Sequence, residues 1–323
     1  MSQLSKFFFS ASGGERVIGT YLYPYVLFIE HIEQIHSDPY FATEVFERTI
    51  IGENEILFTR NGGLFVRPPL SLSDPYRDQS AVTLTNDFKA KLSFQEKAAT
   101  CFNRIICEFA FLGIVSEAAT PVHISYGQLI NAHALITSGG GGREMYLERT
   151  SYPSKLLLKD DWRTHRMFPT AQATKVMKQD CTRTLVKISE ELPALIVGAY
   201  SLFSQRQLSE SLIDSWIVCE QAINHLWKNY LSTIKDTSRI KRLNDSRTYS
   251  ASVRTEILHS IGKIPTPIYE ELNKARKNRN DLAHGAKTTL SAATICLNTM
   301  KLIIEFLCQK TVEPPQTSVG VNW

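Results

Sequence analysis

Arg279 and His284, five positions apart, are the pair in this chain best suited to chemistry on a phosphate. A guanidinium is a planar fork of N–H donors that matches a phosphate or carboxylate bidentately. Histidine is the side chain whose ordinary pKa lets it give or take a proton near neutral pH. Asn280, next to the arginine, adds an amide that can both donate and accept. Five residues turn through roughly 140° on an ideal helix, so the two side chains start on different faces. Gly285 directly after His284 is a helix stop, and there the backbone can swing the imidazole back toward the arginine. A helix C-terminus also favours the protonated ring.

A third residue stands out by its place in a pattern. At about 100° per residue, Leu208, Leu212, Ile213, Trp216, Ile223, Trp227, Tyr230 and Leu231 share one face of a helix, and Glu220 falls among them. A carboxylate on a packing face is costly unless a cation or donor meets it. Arg279 is the mirror case. Ile268, Leu272, Ala275, Leu282 and Ala283 define the buried side of a later helix, with Arg279 in the middle of that stripe. Buried arginine is rare unless paired. Glu220 and Arg279 are therefore expected to meet, within one chain or across a boundary between two copies. A structural ion pair between two helices would leave the same pattern.

The elements that must position these residues are helical. From Thr170 to Lys310 the spacing predicts helices near 170–204, 208–234, 250–261, 267–284 and 288–310, the first broken at Pro193. Thr266-Pro267 reads as a cap followed by proline at the first helical position, and Gly285 as the stop. The earlier half mixes patterns. Glu55–Arg60 and Leu64–Arg67 flank Asn61-Gly62-Gly63 as a hairpin. Ala81–Thr85, His123–Tyr126, Leu129–Ile136 and Met145–Glu148 read as strands, and Phe94–Leu112 as a helix capped by Ser93. Gly139–Gly142 reads as a plain loop. The expected organisation is an α+β domain over 1–168, an all-α helical bundle over 169–312 and a tail over 313–323.

Composition removes several function classes. No uninterrupted apolar run reaches the roughly 18 residues that span a bilayer, and the N-terminus lacks a secretory apolar core, so no membrane role and a cytoplasmic location are expected. Six cysteines, at 101, 107, 181, 219, 296 and 308, show neither C-x-x-C nor zinc spacing and read as core thiols. His31 and His36 lie on different helix faces, which speaks against a shared metal. No H-E-x-x-H, no clustered Asp/Glu pair read as having helical ligand spacing, and no G-x-x-x-x-G-K-[ST] loop stands out, so neither metal nor cofactor is expected. Charge is uneven. Residues 170–310 carry 20 Lys+Arg against 13 Asp+Glu, whereas residues 1–169 carry 16 against 18. A modestly basic second half suits a phosphate-backbone ligand.

The segment Ala275-Arg276-Lys277-Asn278-Arg279-Asn280-Asp281-Leu282-Ala283-His284-Gly285 resembles the signature of the HEPN superfamily: an arginine, a polar residue, then a histidine late in a small helical bundle. The helix Ser211–Trp227, with its aromatic residues and Glu220, resembles the earlier helix of that family. The likeness covers about 170–310 and is greatest to the ApeA-like group of bacterial antiphage defence. It implies a metal-independent endoribonuclease acting as a homodimer on RNA. His284 would be general base or acid, Arg279 would hold the scissile phosphate and stabilise the charge that develops on it, Asn280 would position one of them or contact the phosphate, and Glu220 would orient Arg279 or His284. It also implies a toxin or abortive-infection role, with residues 1–168 as a sensor for a regulatory ligand or protein. The alternative is a non-catalytic HEPN domain that binds nucleotide or RNA, or serves as a dimerisation module. A second R-x4-H, Arg254 and His259, lacks the following asparagine and terminal glycine and reads as a coincidence on a solvated face.

Overall fold

A computed structural model describes residues 15–22, 26–30, 44–51, 54–66, 84–130, 133–138, 166–178 and 181–313. The chain divides into two compact units. One holds the chain up to Phe109 together with Ala119–Gln179; the other holds Ala110–Ala118 and Asp180–Pro315. An antiparallel sheet with a long helix is followed by a series of helices, which is the α+β then all-α order the patterning suggests.

In the first unit seven of the strands are β1 (Glu15–Tyr21), β2 (Val26–Phe28), β3 (Val45–Ile51), β4 (Asn54–Thr59), β5 (Gly63–Val66), β6 (Ser125–Ile130) and β7 (His133–Ser138). Six of them form one sheet in the order β3-β4-β5-β1-β6-β7, with every neighbouring pair antiparallel. β2 pairs in parallel with β8 (Arg166–Phe168). The β4–β5 hairpin closes where the sequence places it. Gly62 takes φ +75 there, a conformation that L side chains resist, and its N–H donates to the Thr59 carbonyl at 3.0 Å. Helix α1 (Leu84–Phe111) lays Phe109 against the rings of Phe28 and Phe58, at 5.7 and 5.8 Å between centroids. Those rings are fully buried and anchor this unit's core.

Several expectations here need correction. Leu84 and Thr85 belong to α1, not to a strand, and Ser93 lies inside that helix instead of capping it. No glycine or proline interrupts 84–111, so nothing in the polar stretch stops the helix from extending toward its N-terminus. Leu129–Ile136 is not one strand. It spans the end of β6 and most of β7, with Ile130 paired to His133. His123 closes a 3-10 turn, Pro121–His123, before β6 begins. Ala81–Thr83, Met145–Glu148, Gly139–Gly142, His31 and His36 lie outside the described residues.

The predicted 170–204 helix is three: α2 (Thr170–Lys178), α3 (Cys181–Ile188) and α4 (Leu192–Ser204). Pro193 sits in the first turn of α4, where its missing N–H costs no helical bond. α2 goes with the first unit. Thr170 N–H donates to Glu30 Oε1 at 2.9 Å and Thr174 Oγ1 to Glu47 Oε2 at 3.0 Å. The division between units thus follows α2 instead of falling at 168. Ala110–Ala118 goes with the helical unit, tied by Glu313 N–H to the Phe111 carbonyl at 2.7 Å and Gln205 Nε2 to Glu117 Oε1 at 3.0 Å.

The helical unit is built around α5 (Leu208–Leu231). It packs against α4, α7 (Ala251–Ser260), α8 (Thr266–Ala283) and α9 (Leu290–Cys308). Leu212, Trp216, Cys219, Ile223 and Trp227 are buried along it at spacings of three and four. A short helix, α6 (Thr237–Leu243), was not anticipated, although Asp236 caps it by accepting from Ser238 and Arg239 N–H at 2.8 and 3.2 Å. The cap of α8 is Pro265, not Thr266. α9, at 19 residues, is long and apolar enough by length and composition to cross a membrane, which the search for uninterrupted apolar runs did not register. Ala293, Cys296, Leu297, Met300, Ile303 and Ile304 form its buried face. Cys296 Sγ donates to the Ala275 carbonyl at 3.6 Å and Thr299 Oγ1 to the Glu271 carbonyl at 3.2 Å, which sets α8 and α9 antiparallel.

Candidate active site

The site begins with how α8 ends. His284 is the C-cap, with φ −91 and ψ 12, and Gly285 follows in the left-handed region at φ +88. Gly285 N–H donates to the Leu282 carbonyl at 2.9 Å and Ala286 N–H to the Asp281 carbonyl at 3.0 Å. These two bonds make the Schellman arrangement, which satisfies carbonyls that an ordinary helix end leaves open. His284 N–H donates to the Asn280 carbonyl at 3.0 Å, so the backbone at the histidine is fixed from three sides. Its side chain is exposed and makes no hydrogen bond to any of the described residues.

Arg279 and Asn280 stand one turn earlier. Arg279 is exposed, and its Nη1 donates to Asn280 Oδ1 at 3.2 Å. This corrects the reading of Arg279 as a buried residue. The apolar stripe is real at Ile268, Leu272 and Ala275, all buried, but it runs out in the last turns, where Leu282 is half-buried and Ala283 exposed. Ser209 Oγ donates to Thr288 Oγ1 at 2.9 Å, bringing the first turn of α5 and the segment after α8 to one end of the unit.

Glu220 is half-buried on α5 and, among the described residues, forms neither a hydrogen bond nor an ion pair. No ion pair joins it to Arg279 within the chain. The direct meeting of the two, one of the two arrangements expected, does not occur. A buried structural salt bridge between these helices is excluded with it. The structure joins Arg279 to Asn280 and places His284 at the exposed end of the same helix, and neither a hydrogen bond nor an ion pair links Glu220 to any of the three.

Polar atoms on the same two helices lack partners. Arg276 Nε and Asn278 Nδ2 on α8, and Ser215 Oγ, Trp216 Nε1, Gln221 Oε1 and Trp227 Nε1 on α5, are buried without a hydrogen bond among the described residues. Each such group costs about 1–3 kcal/mol, so six on two neighbouring helices are a concentrated unmet demand. Periodicity did not single out Arg276 or Asn278. Their polar types beside Arg279 were the only signal.

The second R-x4-H is engaged, not solvated. Arg254 Nη1 donates to Asn224 Oδ1 at 2.5 Å, and its guanidinium lies 5.9 Å from the Trp227 ring centroid. His259 stacks on Tyr269 with centroids 4.2 Å apart, and its Nδ1 donates to the Ile264 carbonyl at 3.0 Å. Both side chains are spent on packing. Among the thiols, Cys107, Cys181, Cys219 and Cys296 are buried while Cys101 and Cys308 are half-buried. Burial pushes the Cys219 thiol up and Cys296 up to about 12, which makes them inert as nucleophiles. Among the described residues no group of three His, Cys, Asp or Glu is placed to hold a metal ion.

Compared with family models, curated proteins and solved structures, the chain finds no match.

Proposed function

We propose that the chain is a metal-independent endoribonuclease of HEPN type, with Arg279 and His284 as its reacting pair. One observation carries this reading. Arg279 stands exposed in the last turns of α8, bonded to Asn280, with His284 capping the same helix end, and among the described residues no carboxylate pairs with it.

In the proposed reaction the ribose 2′-oxygen attacks the adjacent phosphorus. The P–O5′ bond breaks, leaving a 2′,3′-cyclic phosphate and a 5′-hydroxyl. The imidazole of His284 takes the 2′-hydroxyl proton, and an imidazolium, supplied by a second copy, returns one to the leaving O5′. Arg279 stabilises the charge that grows on the non-bridging oxygens. Asn280, already bonded to Arg279, holds the fork in register. Because the nucleophile is the 2′-hydroxyl, DNA is inert. We propose a homodimer as the acting form, and a toxin-like defence role that the first unit restrains.

The test is cleavage of labelled RNA in EDTA. Arg279→Ala and His284→Ala should each lower the rate on the order of 10²–10³. Both residues are exposed, so stability should change by less than about 0.5 kcal/mol. Wild-type cleavage by His284→Ala would overturn the assignment. Binding of RNA by the wild type without any product would favour the non-catalytic alternative.

A further inference from the structure

The segment from Lys235 to Tyr249 carries five cations, Lys235, Arg239, Lys241, Arg242 and Arg247, against two carboxylates. All five cations are exposed, and none forms an ion pair with any of the described residues. The two carboxylates are occupied locally. Asp236 caps α6, accepting from Ser238 N–H, Ser238 Oγ and Arg239 N–H at 2.8, 2.7 and 3.2 Å. Asp245 accepts from Arg247 N–H and Thr248 Oγ1 at 3.1 and 2.6 Å. The anions thus fix the backbone that presents the cations, and the positive charge is left facing solvent.

An aromatic group borders this surface. Tyr249 stacks on the buried Trp227 ring, with centroids 5.9 Å apart and planes at 26°, and remains partly exposed. Tyr230 approaches the same indole at 5.4 Å and is also partly exposed. A basic track beside partly exposed rings is the combination that holds single-stranded nucleic acid: cations follow the phosphates and bases stack on the aromatics. A purely solvated charged face has no need of the rings, and an anionic membrane surface offers no bases to stack.

We propose that α6 and its flanking turns bind the backbone of single-stranded RNA, as a holding surface separate from the residues that cleave it. The choice of RNA over DNA rests on the ribonuclease reading. The binding itself does not, so the test uses the full chain carrying His284→Ala, in which cleavage is not required.

Anisotropy of labelled oligo(U) is titrated over a range of salt concentrations. Replacing Arg239, Lys241 and Arg242 with alanine leaves Asp236 capping a good helix former. The log–log salt slope should become shallower by about 2, at roughly 0.7 per lost phosphate contact. Affinity near 0.1 M salt should fall on the order of 10². A control in the same unit, Arg206, Lys263 and Lys310 to alanine, removes equal charge and should leave the slope near its starting value. Tyr249→Leu should weaken oligo(U) binding about tenfold while leaving binding of inorganic polyphosphate unchanged. An unchanged slope in the α6 variant overturns the proposal, as does an equal loss in the control. Loss of anionic-vesicle binding with oligo(U) binding intact would also overturn it. Failure of the wild type to cleave RNA would sink the ribonuclease reading and leave this result standing.

Discussion

Replacing Gly285 with alanine separates the local job of the α8 cap from general stability, because the fold holds a near-identical control. Gly285 takes φ +88, and a Cβ built on it meets no heavy atom within 4 Å. The cost of alanine is therefore the left-handed backbone alone, roughly 1–2 kcal/mol. Gly262 ends α7 in the same way, with φ +71, open space around its Cβ, and bonds from Gly262 N–H to the His259 carbonyl and Lys263 N–H to the Leu258 carbonyl. Both variants should lower the urea midpoint by about 0.5–1 M if the slope is near 2 kcal/mol/M. Only Gly285→Ala displaces the backbone that fixes His284, and a misplacement of about 1 Å at a reacting group costs on the order of 10² in rate. The assay pairs urea denaturation, followed by helical signal, with RNA cleavage under conditions where each variant is folded. Equal loss of cleavage in both variants would show that the cap acts only through stability. Full activity in a Gly285→Ala chain that shows the expected destabilisation would detach His284 from the reaction.

Leu212 is fully buried on α5, so Leu212→Ala should cost about 2–5 kcal/mol and lower the thermal midpoint measured by helical signal. Asn224→Ala removes the acceptor of the Arg254 guanidinium and should cost about 1.5–3 kcal/mol; cleavage per folded molecule should be unchanged in the RNA assay, since the second R-x4-H serves packing. Burial raises the Asp214 carboxyl above its ordinary 3.8, so the folded state takes up its proton more readily than the unfolded one. Its contribution to stability is then fully present below pH 3.8 and is lost as pH rises through the raised pKa. Asp214→Asn should accordingly be more stable than wild type at pH 7 in thermal scans, with the gap closing toward pH 4; a gap that widens on acidification would contradict this.

The helical half was legible because its signals are local. Apolar spacing in α5, α7, α8 and α9 placed each helix to within a few residues, and Gly285 marked a stop by backbone chemistry alone, whereas Pro193, read as a break in one helix, sits in the first turn of the last of three. α6 was passed over because it is seven residues long and has one buried residue, Leu243, so there is no stripe to find. In the first half, the β4–β5 hairpin was readable from Asn61-Gly62-Gly63. The run from Leu129 to Ile136 has no glycine or proline, and only the pairing of β6 with β7 divides it in two. Strand pairing is a non-local choice, and alternation along one strand does not encode it.

The site itself shows where spacing stops being informative. Periodicity gives the angle of a residue around a helix but not whether a neighbour covers that level of the axis. Arg279 has the angle of Leu272 and Ala275, yet it lies beyond the point where α8 is covered. The expected meeting of Glu220 and Arg279 does not occur within the chain. The same end of the unit leaves apolar surface open. Leu290 lies two residues past Thr288 and is 47% exposed, and Ile213 lies one turn past Ser209 and is 44% exposed. A two-fold partner presents to each surface the residues that surface itself carries, so one copy's unmet cation can face the other's unmet acceptors. This is why the proposed reaction needs two copies. A single chain supplies one histidine to the proposed site, while the proposed reaction requires a proton acceptor and a proton donor at once.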